Sequence, residues 1–169
     1  MNNNPFDNYK GTSDGTVRSN LVQLPMRWYK FLIWVALPVS AVVNILGAIP
    51  YLMGMSQTEQ VLVQFPVLSS IDLFYGVLTL GMGALAVYVR FALAGYKRNA
   101  PSLVVGLYAY GLVISLGYNA AALTITSSLY DPVDFIITGM SVGTSAMINA
   151  ALVICNHIYF KKRKALFNK

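Results

Sequence analysis

The sequence is poor in the residues that carry chemistry. Its 169 residues include one cysteine and one histidine. Cys155 therefore has no internal disulfide partner, and neither a cysteine metal site nor bis-histidine haem ligation by one copy of the chain is open to it. Acids are also scarce, six Asp and Glu in all. None has metal-ligand spacing, and none lies near the middle of a long apolar run, where a proton-coupled carrier ordinarily keeps one. There is no glycine-rich phosphate loop and no nucleophile elbow. No cofactor is implied. Near the end of the last apolar run, Cys155 reads as a buried small hydrophobe and His157 as a ring suited to the negative end of a helix.

Apolar residues are what the chain has in excess, 56% hydrophobic against 11% charged. A hydrocarbon core of about 30 Å is crossed by about 20 apolar helical residues, and four runs qualify: residues 31–53, 70–90, 101–126 and 133–160. The expected fold is an all-α membrane protein, four transmembrane helices in an antiparallel bundle. Basic residues are missing from one side of that pattern. All 12 Lys and Arg precede the first run, end the second or lie between it and the third, or follow the fourth; the other side of the pattern, loops and adjoining run starts together, holds only Glu59, Asp72, Asp131 and Asp134. Positive charge is retained on the cytoplasmic face, so both termini and the middle loop are expected there, in an inner or plasma membrane. The net charge of +6 then reflects topology and attraction to anionic inner-leaflet lipid, and no nucleic-acid partner is implied.

Outside the runs, residues 1–20 are rich in Asn, Asp, Gly, Ser and Thr and are expected to form a disordered tail. Residues 21–30 mix Trp28 and Tyr29 with Arg27 and Lys30 as an interfacial anchor, and 161–169 form a basic tail. The long polar lead and long first run argue against a cleaved signal peptide. Pro38 predicts a kink in the first span. Ser56-Gln57-Thr58-Glu59 has the form of a capping box opening a short surface helix. Ser69-Ser70-Ile71-Asp72 and Asp131-Pro132-Val133-Asp134 have the form of helix starts for the second and fourth spans. Asp72 and Asp134 thus read first as helix caps, with an outward cation-binding vestibule as the alternative.

Ser40-x-x-x-Asn44 in the first span is matched by Ser115-x-x-x-Asn119 in the third, a match that two tandem helical hairpins would give and that the abundance of small residues in membrane helices gives as well. Buried amides in hydrocarbon require partners, so Asn44 and Asn119, at similar depth, are expected to point inward and meet, while Asn149 bonds locally. Alternatively Asn44, Asn119, Asp72, Asp134, Tyr75 and Tyr118 line a polar cavity. Gly139, Gly143, Ala146 and Ala150 form a small-residue stripe of the kind that packs membrane helices together.

The segment Trp28-Tyr29-Lys30-Phe31-Leu32-Ile33, with Asn44, Gly47 and the Arg90-Phe91 to Gly95-Tyr96-Lys97 stretch, resembles small bacterial four-pass membrane proteins that have no assigned activity. The resemblance covers about Trp28 to Arg98 and implies topology and a bacterial inner membrane, without catalysis. Three functions then compete. A non-enzymatic interaction or accessory protein, binding a membrane partner or itself through small-residue faces, asks for no missing chemistry. A small transporter or channel subunit would use the outward polar residues. A lipid-modifying enzyme lacks a visible nucleophile and base.

Overall fold

A computed structural model describes residues 27–163 and Phe167; the expected tail at 1–20, and the 21–26 part of the anchor, lie outside the described residues. The first span is one continuous helix, Arg27–Leu52. It comprises α1 (Arg27–Phe31), a π-helical turn (Leu32–Ala36) and α2 (Leu37–Leu52). A short α3 (Glu59–Gln64) follows, then α4 (Pro66–Ala94), α5 (Ala100–Thr126) with a 3-10 turn at Ser127–Leu129, and α6 (Pro132–Lys161). Four helices are long and apolar enough to cross a membrane. The protein is an all-α, multi-pass membrane protein. Successive spans are antiparallel neighbours, so Arg27, Lys97 and Lys161 share one end of the bundle, the termini end.

The π turn is the structural answer to Pro38. Proline has no N–H, and its ring displaces the carbonyl one turn back. Widening the preceding turn takes up that displacement: Leu37 N–H bonds five residues back, to Leu32 O. The next donor in this register would be residue 38, which is proline, so Ile33 O has no partner within its own helix. Arg90 on α4 supplies one, donating from Nε at 3.2 Å. The kink expected at Pro38 is thus a widened turn, and its orphan acceptor ties the first two spans together.

These spans form the tightest seam. The buried face of α4 includes Leu68, Asp72, Gly76, Thr79, Gly83 and Ala86, in steps of three and four residues as in coiled-coil packing. Ala41 and Ala48 face it from α2. A Cβ on Gly83 would lie 2.7 Å from Ile45 Cγ1 and 3.2 Å from Ala41 O, and one on Gly76 would lie 2.9 Å from Tyr51 Cβ. Two glycines seven residues apart therefore let the backbones approach. α5 packs on α4, and α6 mainly on α5.

The apolar core is polarised toward the termini end. Tyr29, Leu32, Val89, Leu93, Val104 and Phe160 belong to it, and Tyr96 closes it. Tyr96 is the described non-glycine residue with positive φ, 53°. This geometry ends α4 in a Schellman turn, with Lys97 N–H on Ala92 O at 3.1 Å and Tyr96 N–H on Leu93 O at 2.9 Å. Stacking of Tyr96 on Tyr29, centroids 5.4 Å apart, offsets the strain. Trp28 Nε1 also donates to Asn156 Oδ1 at 3.1 Å, and Tyr29 N–H to Tyr159 OH at 3.2 Å. First and fourth spans are thereby joined at this end.

Candidate functional site

At the opposite end the first hairpin places a buried carboxylate beneath its loop. α4 begins at Pro66, whose fixed φ suits the first helical position. Ser69 and Ser70 are consequently exposed helical residues, and the helix start expected at Ser69–Asp72 is displaced by one turn. Asp72 sits in the second turn and is 2% exposed. It is no cap. Tyr118 OH on α5 donates to its Oδ1 at 2.9 Å, and Ser56 Oγ in the loop donates to Oδ2. Among the described residues both oxygens are held by hydroxyl groups and neither by a cation.

Ser56 is available because the capping box does not form. α3 does open near Thr58, whose ψ of 149° is that of an N-cap, but no side chain caps it. Gln57 Nε2 reaches Tyr118 OH at 3.5 Å. Tyr118 lies parallel to Tyr75 with centroids 4.1 Å apart, and Tyr51 meets both edge-on, at 4.8 Å from Tyr75 and 5.5 Å from Tyr118. Rings this close leave no room for a cation between them. What the cluster does is fasten three elements, the loop, α4 and α5, to one carboxylate. A groove of about 390 Å³ opens beside Tyr75 and Tyr118 between α4 and α5, with walls that include Phe74, Leu78, Val113 and Ile114.

The other expected cavity residues do not join this cluster. Asn44 Nδ2 donates to Ser40 O at 2.7 Å and Asn119 Nδ2 to Ser115 O at 2.7 Å. Each amide satisfies itself on the carbonyl four residues back, so the two do not meet. Asn149 bonds locally as expected, to Ser145 O at 2.9 Å. Asp134 is exposed in the first turn of α6. That helix start is as the sequence reads: Asp131 Oδ1 accepts from Val133 N–H at 3.0 Å and Asp134 N–H at 2.9 Å, with Pro132 first in the helix. The paired acids of the two hairpins thus occupy unlike positions, Asp72 buried within a helix and Asp134 exposed at a helix start.

The small-residue stripe of α6 divides in the same way. Ala146 and Ala150 are half-buried, whereas Gly139 and Gly143 are exposed and a Cβ on either would meet nothing within 4 Å. Within the chain α6 packs through Val142, Ala146, Val153, Asn156 and Phe160, all partly or fully buried, and the two glycines lie beside that line. Cys155 is exposed, contrary to the expected burial, because it follows Val153 by two positions and so points away from the packed face. His157 is exposed at the termini end.

Two functional contacts were not expected from the sequence. Arg90 reads there as an orientation charge, yet it serves a carbonyl of the first span. Asn156 is fully buried and holds Trp28; its spacing of seven from Asn149 places both on one helix face, which is the signal that identifies it. No family model matches the chain, and no curated protein and no solved structure matches it.

Proposed function

We propose that the protein is an integral-membrane interaction or accessory protein, whose fourth span docks a transmembrane helix from a partner or from a second copy. The observation that carries this reading is how little of α6 the rest of the described chain covers. No residue in its most apolar window is buried within the chain. Its outer face bears Ile136, Met140, Gly143, Met147, Ile154 and Ile158, all exposed, again in steps of three, four and seven. Large flexible side chains around a bare glycine suit a helix-sized groove, since methionine adapts to a docking surface and glycine permits close approach. Replacing Gly139 and Gly143 together with Leu is expected to abolish an oligomer or partner complex seen by sedimentation in detergent; unchanged assembly removes the reading.

Orientation belongs to the same proposal. The described acids, Glu59, Asp72, Asp131 and Asp134, lie toward the end opposite Arg27, Lys97, Arg98 and Lys161. This distribution supports a cytoplasmic termini end and attraction to anionic lipid on that face. The bacterial inner membrane is the one that the resemblance of the Trp28 segment implies. A fluorescent-protein fusion at the C-terminus that folds only in the cytoplasm reports the orientation directly; a dark fusion reverses it.

A second reading, a small transporter or channel subunit, is favoured by the burial of the Asp72 carboxylate. Asn44 and Asn119 are satisfied within their own helices, which leaves that reading on Asp72 alone. Liposome flux that is the same for native protein, Asp72→Asn and empty vesicles excludes it.

A further inference from the structure

Arg90 has more hydrogen-bonding capacity than the described residues use. Its Nε serves Ile33 O, and among the described residues no acceptor takes the N–H groups of its two Nη atoms. The guanidinium lies between two rings, with Cζ 5.7 Å from the centroid of Trp34 and 5.4 Å from that of Phe91. Both rings are turned outward, Trp34 71% and Phe91 62% exposed, at the level of the last turn of α4, where hydrocarbon gives way to headgroups. The Nε bond and the two rings hold the fork in place, which leaves its Nη edge for a ligand outside the protein. A planar fork of this kind matches two phosphate oxygens. Lys97, whose Nζ is 6.0 Å from the ring of Tyr88, adds positive charge at the same end of the bundle.

The charge of the ligand follows from what is missing nearby. The described acids lie toward the other end of the bundle, so among the described residues the ammonium of a zwitterionic headgroup finds no carboxylate here, while a phosphate without an internal cation finds the Arg90 guanidinium. The rings supply the other half of the fit, flanking acyl chains beneath the headgroup. We propose that Arg90, set between Trp34 and Phe91 by its bond to Ile33, is the phosphate-binding centre of a site for one anionic phospholipid where the first and second spans meet at the termini end. The site does not depend on helix docking by α6, and its geometry is the same whichever leaflet the termini face.

The test uses the full chain in nonionic detergent, titrated with dioleoyl-phosphatidylglycerol and separately with dioleoyl-phosphatidylcholine, with the first bound lipid read by native mass spectrometry. The native chain is expected to hold the anionic lipid about tenfold tighter, the scale of one charge-assisted hydrogen-bonded pair. Arg90→Gln removes the charge and erases most of that preference. Arg98→Gln removes an equal charge from the same end, at an exposed residue with no flanking ring among those described, and leaves the preference within about twofold. Equal losses in the two variants, or no preference in the native chain, overturn the site in favour of a diffuse basic rim. Should Arg90→Gln fail to fold, Trp34→Ala decides: it keeps Arg90 and its bond to Ile33, and an unchanged preference overturns the proposal. Inorganic phosphate in about hundredfold excess is expected to leave the lipid bound, and its displacing the lipid would overturn the assignment to a phospholipid.

Discussion

Trp28 and Asn156, 128 positions apart, are joined by a 3.1 Å hydrogen bond that closes the bundle at the end where the chain's described residues begin and finish. Among the described residues the amide has no other donor to its oxygen. Its Nδ2 donates to Leu152 O within α6, so Oδ1 depends on the indole. Trp28→Phe is expected to lower unfolding free energy by about 1–3 kcal/mol, the cost of stranding a buried acceptor. Adding Asn156→Leu is expected to recover part of that loss, because no unsatisfied group remains. Strictly additive losses in a double-mutant cycle, read by steric trapping or thermal unfolding, would show that the pair is not coupled.

Ile33 and Arg90 form the second cross-link, and its necessity arises from Pro38. Arg90→Leu is expected to destabilise by about 1–3 kcal/mol by leaving Ile33 O unpaired in hydrocarbon. In a Pro38→Ala background the new N–H is available to the first span's own carbonyls, and the same substitution should cost distinctly less. Equal costs in both backgrounds would separate Arg90 from the proline.

Asp72 fastens the loop between the first two spans. Replacing it with Ala frees Ser56 and Tyr118 together, and hydrogen exchange in residues 53–64 is expected to rise by about tenfold or more, equivalent to losing one good charged hydrogen bond. Tyr118→Phe removes one of the two bonds and should give a smaller rise. Exchange that stays at the native level in both variants would mean that the loop is held by something else.

Glycines of similar appearance should respond very differently. Gly83→Ala places a methyl group 2.7 Å from Ile45 Cγ1 and 3.2 Å from a carbonyl oxygen, an overpacking that costs about 1–3 kcal/mol. Gly81→Ala, with nothing within 4 Å, should be neutral or slightly stabilising, given alanine's helix preference of about 1 kcal/mol over glycine. Melting temperatures of the two variants that agree would contradict the seam assigned to α4.

The legible parts of this chain were those written in local pattern. Four long apolar runs define four helices, Asp131-Pro132 starts the last of them, and Asn149 bonds to the residue four before it. Long-range pairing was less legible. Ser69-Ser70-Ile71-Asp72 and Pro66 offer two competing helix starts, and the preset proline φ prevails, which converts Asp72 from a cap into a buried anchor. Asn44 and Asn119 share a depth but not a partner, because a carbonyl four residues back is always within reach and another helix is not. Gly76, Gly81, Gly83, Gly139 and Gly143 look alike in sequence; only packing distinguishes the seam glycines from the open ones. Arg90 is interpretable from composition as a topology signal, whereas its task depends on a widened turn in another helix.

The most direct measurement of the docking role places a photoreactive benzoylphenylalanine at 147, on the outer face of α6, and at 113, an exposed position of α5, in native membranes. A protein cross-link at 147 but not at 113, lost when Gly139 and Gly143 both become Leu, is the result this account predicts. Equal capture at the two positions, capture indifferent to the leucines, or no protein captured at 147 would contradict it.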